Sequence, residues 1–247
     1  MKKYSVFSLL KNAFNHHEGW DVAWRDPEPK TEYEAVIIGG GGHGLATAYY
    51  LAKEYNIRNI AILEKGWIGG GNVGRNTTIL RSNYMHDANN LFYEKGMQMW
   101  KNLSQELNYN VMYSPRGILN LAHSDAQLNA YARRGNSMRL NGIDALLLGR
   151  EEVRKRIPFA DFSENARFPI FGGLLQTIGG TARHDAVAWG YARAADDMGV
   201  DIIQHCEVSG FEVADGKIKG VQTSKGFIKT NKVGLCVAGS TSILAEK

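Results

Sequence analysis

The glycine-rich segment 39–44, which reads GGGGHG, constrains the fold of this chain more than any other feature. It follows the apolar segment 35–38 and opens a helical pattern, and the spacing Gly39-x-Gly41-x-x-Gly44 is typical of a dinucleotide-binding βαβ unit. In such a unit the first glycine permits a tight turn, the second lets the backbone approach a pyrophosphate, and the third lets helix and strand approach closely. The N–H groups at the start of the helix then face the phosphates.

A second apolar segment, 60–63, ends at Glu64, twenty residues after Gly44. An acidic side chain at this place accepts a hydrogen bond from a ribose 2′-hydroxyl, which favours an adenosine ribose without a 2′-phosphate. The alternative, a glycine-rich surface loop, would not require strand, helix, second strand and acid to follow in this register. We therefore predict a Rossmann-like unit over 33–66.

Composition and charge argue against several classes of protein. The 247 residues allow one large domain or two small ones, and the net charge of +4 is spread along the chain, which does not favour nucleic-acid or membrane binding. Apolar runs are too short to cross a bilayer, and Lys11 interrupts the N-terminal apolar stretch, so a signal peptide is not expected. Cys206 and Cys236 form no metal or redox motif, and we expect them to be buried thiols in the cytoplasm.

The rest of the chain alternates helical and strand-like patterns. Residues 1–32 are predicted to form an N-terminal extension. The helix of the Rossmann-like unit is predicted to bury one face, formed by Leu45, Ala48, Ala52 and Tyr55. Further helices are predicted at 87–107, 125–141, 150–156 and 185–198, and strands at 117–122, 200–203 and 232–239. Asp185 is expected to cap its helix and Gly199 to end it, and turns at 215–216 and 225–226 predict a β-meander.

This order of elements resembles the flavin-dependent amine oxidases of the D-amino-acid-oxidase superfamily. The resemblance implies an α/β fold: a Rossmann-like FAD-binding domain with a helical insertion and a β-meander, plus part of a substrate domain. In that superfamily the FAD-binding domain is discontinuous, and its closing segment follows the substrate domain. The resemblance therefore implies that 33–247 is an incomplete FAD-binding domain interleaved with the start of a substrate domain, and that the chain is truncated.

Within the superfamily, the chain is similar to the beta subunits of heterotetrameric sarcosine oxidases. The similar segments are 34–50, 63–67, 70–72, 75–78, 81–84, 116–123 and 183–189. The resemblance implies non-covalent FAD and a second flavin, FMN, bound covalently through a histidine that matches His184. It also implies alpha, gamma and delta partner subunits, with NAD in the alpha subunit, and sarcosine or a similar secondary amino acid as substrate.

The candidate cofactor-binding residues come from both the spacing and the resemblance. They are Gly39, Gly41, Gly42, His43, Gly44, Glu64, Lys65, Asn72, Arg75, Asn76, Thr77, Arg183, His184 and Val208. Alternatives stay open for several of them. The alternative for Asn72, Arg75, Asn76 and Thr77 is to cap the next element, and Lys65 and Arg183 could be solvated side chains. Val208, implied as a backbone contact to adenine, is otherwise an ordinary strand residue.

The chemistry expected of His184 depends on its residue type. The 8α-methyl carbon of an oxidised flavin becomes electrophilic on losing a proton, and a neutral imidazole can attack it at cytoplasmic pH, whereas a lysine would be mostly protonated. Arg81 is the candidate for binding a substrate carboxylate, because a guanidinium is planar, charged and bidentate; a structural ion pair is the alternative. Tyr84 is a second candidate for the same pocket.

The resemblance thus implies oxidation of sarcosine to glycine and a one-carbon unit, with formation of hydrogen peroxide. The flavins carry the redox step, and the protein supplies placement and electrostatics. One alternative is another secondary-amine or amino-acid oxidase or dehydrogenase of the same superfamily, which would lack covalent flavin at His184. A second alternative is a non-catalytic fragment that binds a partner subunit.

Overall fold

The computed structural model describes residues 5–163 and 165–246. The chain divides into two compact units. The first comprises the described residues of Met1–Thr77, Gln105–Val111 and His184–Lys247, and the second those of Thr78–Ser104 and Met112–Arg183. The sequence of the second unit thus interrupts that of the first twice.

The described residues form short strands and longer helices. The strands are β1 (Ala35–Ile38), β2 (Ile60–Leu63), β3 (Ile79–Leu80), β4 (Ile118–Ala122), β5 (Leu146–Gly149), β6 (Gly172–Gln176), β7 (Gly180–Thr181), β8 (Asp201–Ile203), β9 (Val208–Ala214), β10 (Lys217–Thr223), β11 (Gly226–Lys229) and β12 (Val233–Leu235). The helices are α1 (Val6–Phe14), α2 (Gly42–Tyr55), α3 (Asp87–Glu106), α4 (Asp125–Leu140), α5 (Arg150–Arg156), α6 (His184–Asp197) and α7 (Thr241–Ala245), with 3₁₀ turns at Val73–Arg75 and Ala238–Ser240. Within the described part of the chain, no helix combines the length and apolar character that crossing a bilayer demands.

The centre of the first unit is a parallel sheet with the strand order β12-β1-β2-β8. Every residue of β1 and β2 is buried, as expected of central strands that are covered on both faces. The helices α2 and α6 pack against each other, and α2 also packs on β1 and β2. The predicted strand–glycine–helix–strand order is therefore confirmed.

The buried face of α2 differs from the prediction at one residue. Leu45, Ala48 and Ala52 are buried as expected, but Tyr55 is 73% exposed. It is the last residue of the helix, and Asn56 follows in the left-handed conformation and turns the chain toward β2. The buried aromatic is instead Tyr49, whose ring lies edge-on to Tyr191 of α6, with ring centroids 5.5 Å apart.

The helix α6 begins one residue earlier than predicted. Asp185 was expected to precede the helix as its cap, but His184 is already helical and Asp185 lies in the first turn. The carboxylate of Asp185 accepts the N–H of Ala186, so it stabilises the start of the helix from inside. Gly199, with φ of +96°, follows the end of α6, as predicted.

The predicted meander is confirmed as the antiparallel sheet β11-β10-β9. Asp215 and Gly216 join β9 to β10 with positive φ angles of +54° and +69°, the backbone of a type I′ turn. The meander shares one apolar core with the parallel sheet, which includes the buried thiol of Cys206. Both cysteines are free; Cys236 is only half-buried, and burial raises the pKa of its thiol.

The second unit contains the antiparallel sheet β4-β6-β5 and the two-stranded sheet β3-β7. The predicted helices at 87–107, 125–141 and 150–156 are confirmed as α3, α4 and α5, and the predicted strand at 117–122 as β4. The central strand β6 was not predicted. Its residues Gly172 and Gly173 let neighbouring backbone approach closely: a Cβ on Gly173 would lie 2.8 Å from the carbonyl oxygen of Asn120.

Candidate functional site

The glycine-rich segment forms a tight elbow between β1 and α2. Gly39 has φ of +108°, and a Cβ on it would collide with the carbonyl oxygen of Cys236. A Cβ on Gly44 would collide with the carbonyl oxygen of Gly39, because the first turn of α2 crosses directly over the end of β1. Both positions therefore require glycine.

The start of α2 is open on the side where a ligand would approach. Gly41 is the N-cap of the helix, and no side chain caps it. A Cβ on Gly41 would meet one atom within 4 Å, Val73 Cγ2 at 3.7 Å. Gly42 and His43 form the first turn, and the His43 side chain is exposed. The backbone N–H groups of this turn lack partners inside the helix and carry its positive dipole end, which suits a phosphate group.

The Glu64 carboxylate connects the elbow to the end of β2. Its Oε2 accepts the N–H of Gly40 at 2.7 Å, and its Oε1 accepts the N–H of Gly66 at 2.8 Å. A carboxylate has about four acceptor positions, so each oxygen retains capacity for one more donor. Glu64 is half-buried, and Lys65 beside it is exposed. The carboxylate therefore fixes the backbone of the elbow and still has acceptor capacity for a ribose hydroxyl.

The loop after β2 lies against the elbow. The N–H of Gly69 donates to the carbonyl oxygen of Gly40 at 3.0 Å, and the Val73 side chain approaches Gly41. The predicted residues of this loop, Asn72, Arg75, Asn76 and Thr77, are all exposed. Asn76 Nδ2 donates to the Val73 carbonyl oxygen at 2.8 Å, so it caps the end of the preceding 3₁₀ turn and not the next element. Asn72 precedes this turn, and its side chain makes no capping hydrogen bond there.

The remaining candidates of the first unit are His184 and Val208. His184 begins α6, and this helix packs on α2 and on the Val73–Arg75 turn. His184 Nδ1 is covered and has no hydrogen-bond partner among the described residues. Ala188 lies one turn after His184 on the same face of α6. A Cβ on Gly69 would lie 3.6 Å from the Ala188 side chain, so this face of α6 lies close to the loop after β2. Val208 begins β9, and its side chain lies in the apolar core.

The second unit contains Arg81, Tyr84 and Arg183. The guanidinium of Arg81 lies over the Tyr84 ring, with its Cζ 4.9 Å from the ring centroid. Arg81 Nη1 also donates to Asn83 Oδ1 at 2.7 Å, and the Tyr84 ring stacks on Tyr93 at 4.3 Å between centroids. Burial raises the pKa of the Tyr84 hydroxyl, although the positive charge of Arg81 opposes this. Arg183 is exposed at the end of the unit.

Comparison with known proteins identifies the family of this chain. The family model described as "FAD dependent oxidoreductase" matches residues 34–247. The chain belongs to this FAD-dependent oxidoreductase family. It is 61% identical over 244 residues to sarcosine oxidase subunit beta of Rhizobium meliloti (strain 1021), covering 99% of this chain and 58% of that protein.

Two further comparisons place the chain within the FAD-dependent oxidoreductases. It is 50% identical over 245 residues to sarcosine oxidase subunit beta of Rhodobacter capsulatus, covering 99% of this chain and 59% of that protein. A crystal structure of L-proline dehydrogenase from P. horikoshii superposes with a TM-score of 0.81 at 26% identity, covering 88% of this chain and 56% of that chain. The predicted α/β flavoprotein fold and the resemblance to sarcosine oxidase beta subunits are confirmed. The chain spans less than two thirds of the length of these relatives.

The residues of the first unit fit the FAD that this family requires. The space at Gly41 and the helix start suit a pyrophosphate, and Glu64 has free acceptor positions at the end of the neighbouring strand. His184 fits a covalent flavin in one respect: no protein donor or acceptor among the described residues competes for its Nδ1. The structure brings the elbow, Glu64 and the loop 66–77 together in one unit, whereas Arg81 and Tyr84 belong to the other.

Two polar residues that contact candidate segments, one in each unit, were not predicted from the sequence. Gln204, which follows β8, accepts the N–H of Ile68 at 2.9 Å and so supports the loop after β2. Arg134, on α4, donates to both the backbone and the side chain of Asn83. Arg134 lies 53 positions from Arg81 in the sequence, and no local spacing connects the two.

Proposed function

We propose that this chain is the FAD-binding part of a flavin-dependent oxidase that converts sarcosine to glycine and a one-carbon unit, with formation of hydrogen peroxide. The observation that carries the proposal is the open glycine elbow, fixed by Glu64, in a chain 61% identical to a sarcosine oxidase beta subunit. Bound FAD would supply the two-electron acceptor for oxidation of the N-methyl carbon.

The residues of this chain have separate tasks in the proposal. Backbone N–H groups of residues 41–43 bind the pyrophosphate, and Glu64 accepts the ribose 2′-hydroxyl. Arg81 binds the substrate carboxylate, and the Tyr84 ring, over which the Arg81 guanidinium lies, supports that guanidinium. The substrate amine must be unprotonated when it reacts, because its lone pair assists departure of the hydride.

We further infer that His184 carries covalently bound FMN, and that the chain works as the beta subunit of a cytoplasmic complex with alpha, gamma and delta subunits. The Nδ1 of His184 supports the first inference, because no hydrogen bond among the described residues engages its lone pair, although the atoms that cover it would have to move before it could attack a flavin carbon. The words "subunit beta" in the relatives' names support a multi-subunit assembly. Arg183, which precedes His184, would contribute positive charge near an FMN phosphate.

The test is retention of flavin after acid precipitation of the purified holoenzyme. His184→Ala should abolish acid-stable flavin and leave FAD, released into the supernatant, at wild-type stoichiometry. His205→Asn is the matched control, because His205 is exposed and its φ of +51° suits asparagine. Acid-stable flavin in His184→Ala would overturn the FMN assignment, and its absence from the wild-type protein would favour another amine oxidase of the family.

A further inference from the structure

Two arginine side chains of the second unit converge on one neutral oxygen atom. Arg81 Nη1 donates to Asn83 Oδ1 at 2.7 Å, and Arg134 Nη2 donates to the same oxygen at 3.2 Å. Arg134 Nε also donates to the backbone carbonyl oxygen of Asn83 at 2.6 Å. Because Arg81 Nη1 and Arg134 Nη2 donate to the same oxygen, the distance between these two nitrogens cannot exceed the sum of the two donor–acceptor distances.

Neither arginine of this pair forms an ion pair within the part of the chain that the structure describes. Glu94, the acid on the neighbouring helix α3, accepts from the Ser82 hydroxyl instead. Burial, together with the positive charge of Arg81, lowers the pKa of Arg134 below its ordinary range. Two half-buried like charges repel each other, and an anionic ligand would relieve that repulsion.

Asn83, which accepts hydrogen bonds from both arginines, is uncharged and therefore leaves their positive charge available to a ligand. Asn83 is fully buried, and its Nδ2 has no partner among the described residues, so its side chain serves the two arginines alone. An aspartate at this place would satisfy the same donors and would also neutralise one of the two charges. A neutral amide orients both guanidinium groups and leaves their full charge for a ligand.

We propose that Arg134 is a second cationic residue of the carboxylate site, positioned with Arg81 by Asn83, and that the pair selects substrates that carry a carboxylate. The inference rests on the carboxylate role proposed for Arg81. Arg134 is fixed by two hydrogen bonds to Asn83, so its part is to add positive potential and to hold Asn83, which in turn orients Arg81. A substrate amine without a carboxylate gains nothing from the pair.

The decisive variant is Asn83→Asp, assayed in the flavin-loaded holoenzyme. The substitution is isosteric, retains the acceptor for both arginines and loses no hydrogen bond at Nδ2. A purely structural role predicts an unchanged KM and equal or greater thermal stability. The anion-site role predicts that KM for sarcosine rises about 3- to 100-fold with little change in kcat. This is the range expected when one unit charge at about 6 Å acts through an effective dielectric constant between that of bulk water, about 80, and that of a protein surface, about 20.

The second variant is Arg134→Met, which removes the charge and keeps the apolar length of the side chain. KM for sarcosine should rise over the same range, Arg134→Lys should restore part of it, and kcat/KM for an uncharged N-methylamine should not change. Arg133→Met is the matched control, because Arg133 is the exposed neighbour on the same helix. The dissociation constant of methoxyacetate, which has the carboxylate but no amine, gives a readout that is independent of turnover and should follow KM.

The outcomes separate this inference from the proposed function. If Arg81→Lys affects sarcosine and the uncharged amine equally, the carboxylate role of Arg81 fails and the inference fails with it. If Arg81→Lys impairs sarcosine selectively while folded Asn83→Asp binds sarcosine and methoxyacetate like the wild type, the inference alone is wrong. Should Arg134→Met not fold, Asn83→Asp still decides between the two results.

Discussion

Replacement of Glu64 by glutamine should weaken both the fold of the elbow and the binding of FAD. In the structure each carboxylate oxygen accepts one backbone N–H, from Gly40 at 2.7 Å and from Gly66 at 2.8 Å. Glutamine keeps one acceptor oxygen and presents an NH₂ group to the other donor, so one charge-assisted hydrogen bond is lost and two donors face each other. Such a loss costs about 1.5–3 kcal/mol.

The same substitution removes charge from the acceptor proposed for the ribose hydroxyl. We expect FAD binding to weaken by about 1–3 kcal/mol, which corresponds to about a 5- to 150-fold rise in Kd. The free energy of unfolding, measured in urea without added flavin, gives the first effect, and titration with FAD followed by flavin fluorescence gives the second.

The control for Glu64→Gln is Glu54→Gln, because Glu54 lies on the exposed surface of α2 and, among the described residues, forms an ion pair with Lys53 alone, at 3.3 Å. Such surface pairs contribute about 0–1 kcal/mol, so this variant should match the wild type in both assays. If Glu64→Gln has wild-type stability, the Glu64 carboxylate does not stabilise the backbone of the elbow as proposed. If it also binds FAD with wild-type affinity, Glu64 is not the acceptor of the ribose hydroxyl.

Further predictions concern the glycines and the alkaline limit of stability. Gly44→Ala should destabilise the protein by about 1–3 kcal/mol or more in urea unfolding, because its Cβ would collide with backbone. Gly41→Ala should leave stability within about 1 kcal/mol of wild type, since a poorer N-cap offsets the reduced entropy of the unfolded chain, yet FAD binding should weaken at least about tenfold; equal FAD affinity would place the pyrophosphate elsewhere. Burial raises the pKa of the Tyr33 hydroxyl, which donates to Asp201, to about 12. Because the folded state holds this proton more tightly than the unfolded chain does, the stabilisation is present below pH 10 and falls away between pH 10 and about 12, by up to about 3 kcal/mol. Urea unfolding from pH 8 upward should show this loss in the wild type, and Tyr33→Phe should reduce it without abolishing it, because burial also raises the pKa of the Tyr49 and Tyr191 hydroxyls.

Local sequence predicted those parts of the fold that local physics determines. The spacing of Gly39, Gly41 and Gly44 required a tight turn before a helix, and the elbow shows the backbone approaches that make side chains impossible at the first and third of these positions. The turn at Asp215-Gly216 was predictable because its two positive φ angles favour those residue types. Helix ends were less exact, and the apolar period assigned Tyr55 to a face that the helix does not extend far enough to bury.

Contacts between residues distant in sequence were beyond prediction from the sequence. The strand β6 was not predicted, because nothing local shows that other strands lie close on both sides of its glycines. Gln204 supports the loop after β2 across 136 positions of sequence, and Arg134 reaches Asn83 across 51. In each case the chemistry depends on a tertiary contact, which no periodicity or motif encodes.

The central claim is that the elbow of residues 39–44 binds the pyrophosphate of FAD, with Glu64 on the adenosine ribose. A crystal structure of the flavin-loaded protein tests it directly. We expect a phosphate oxygen within about 2.7–3.2 Å of backbone nitrogens at residues 41–43, and a ribose hydroxyl at similar distance from a Glu64 carboxylate oxygen. Flavin bound elsewhere on the chain, with the elbow in contact only with solvent, would contradict the account.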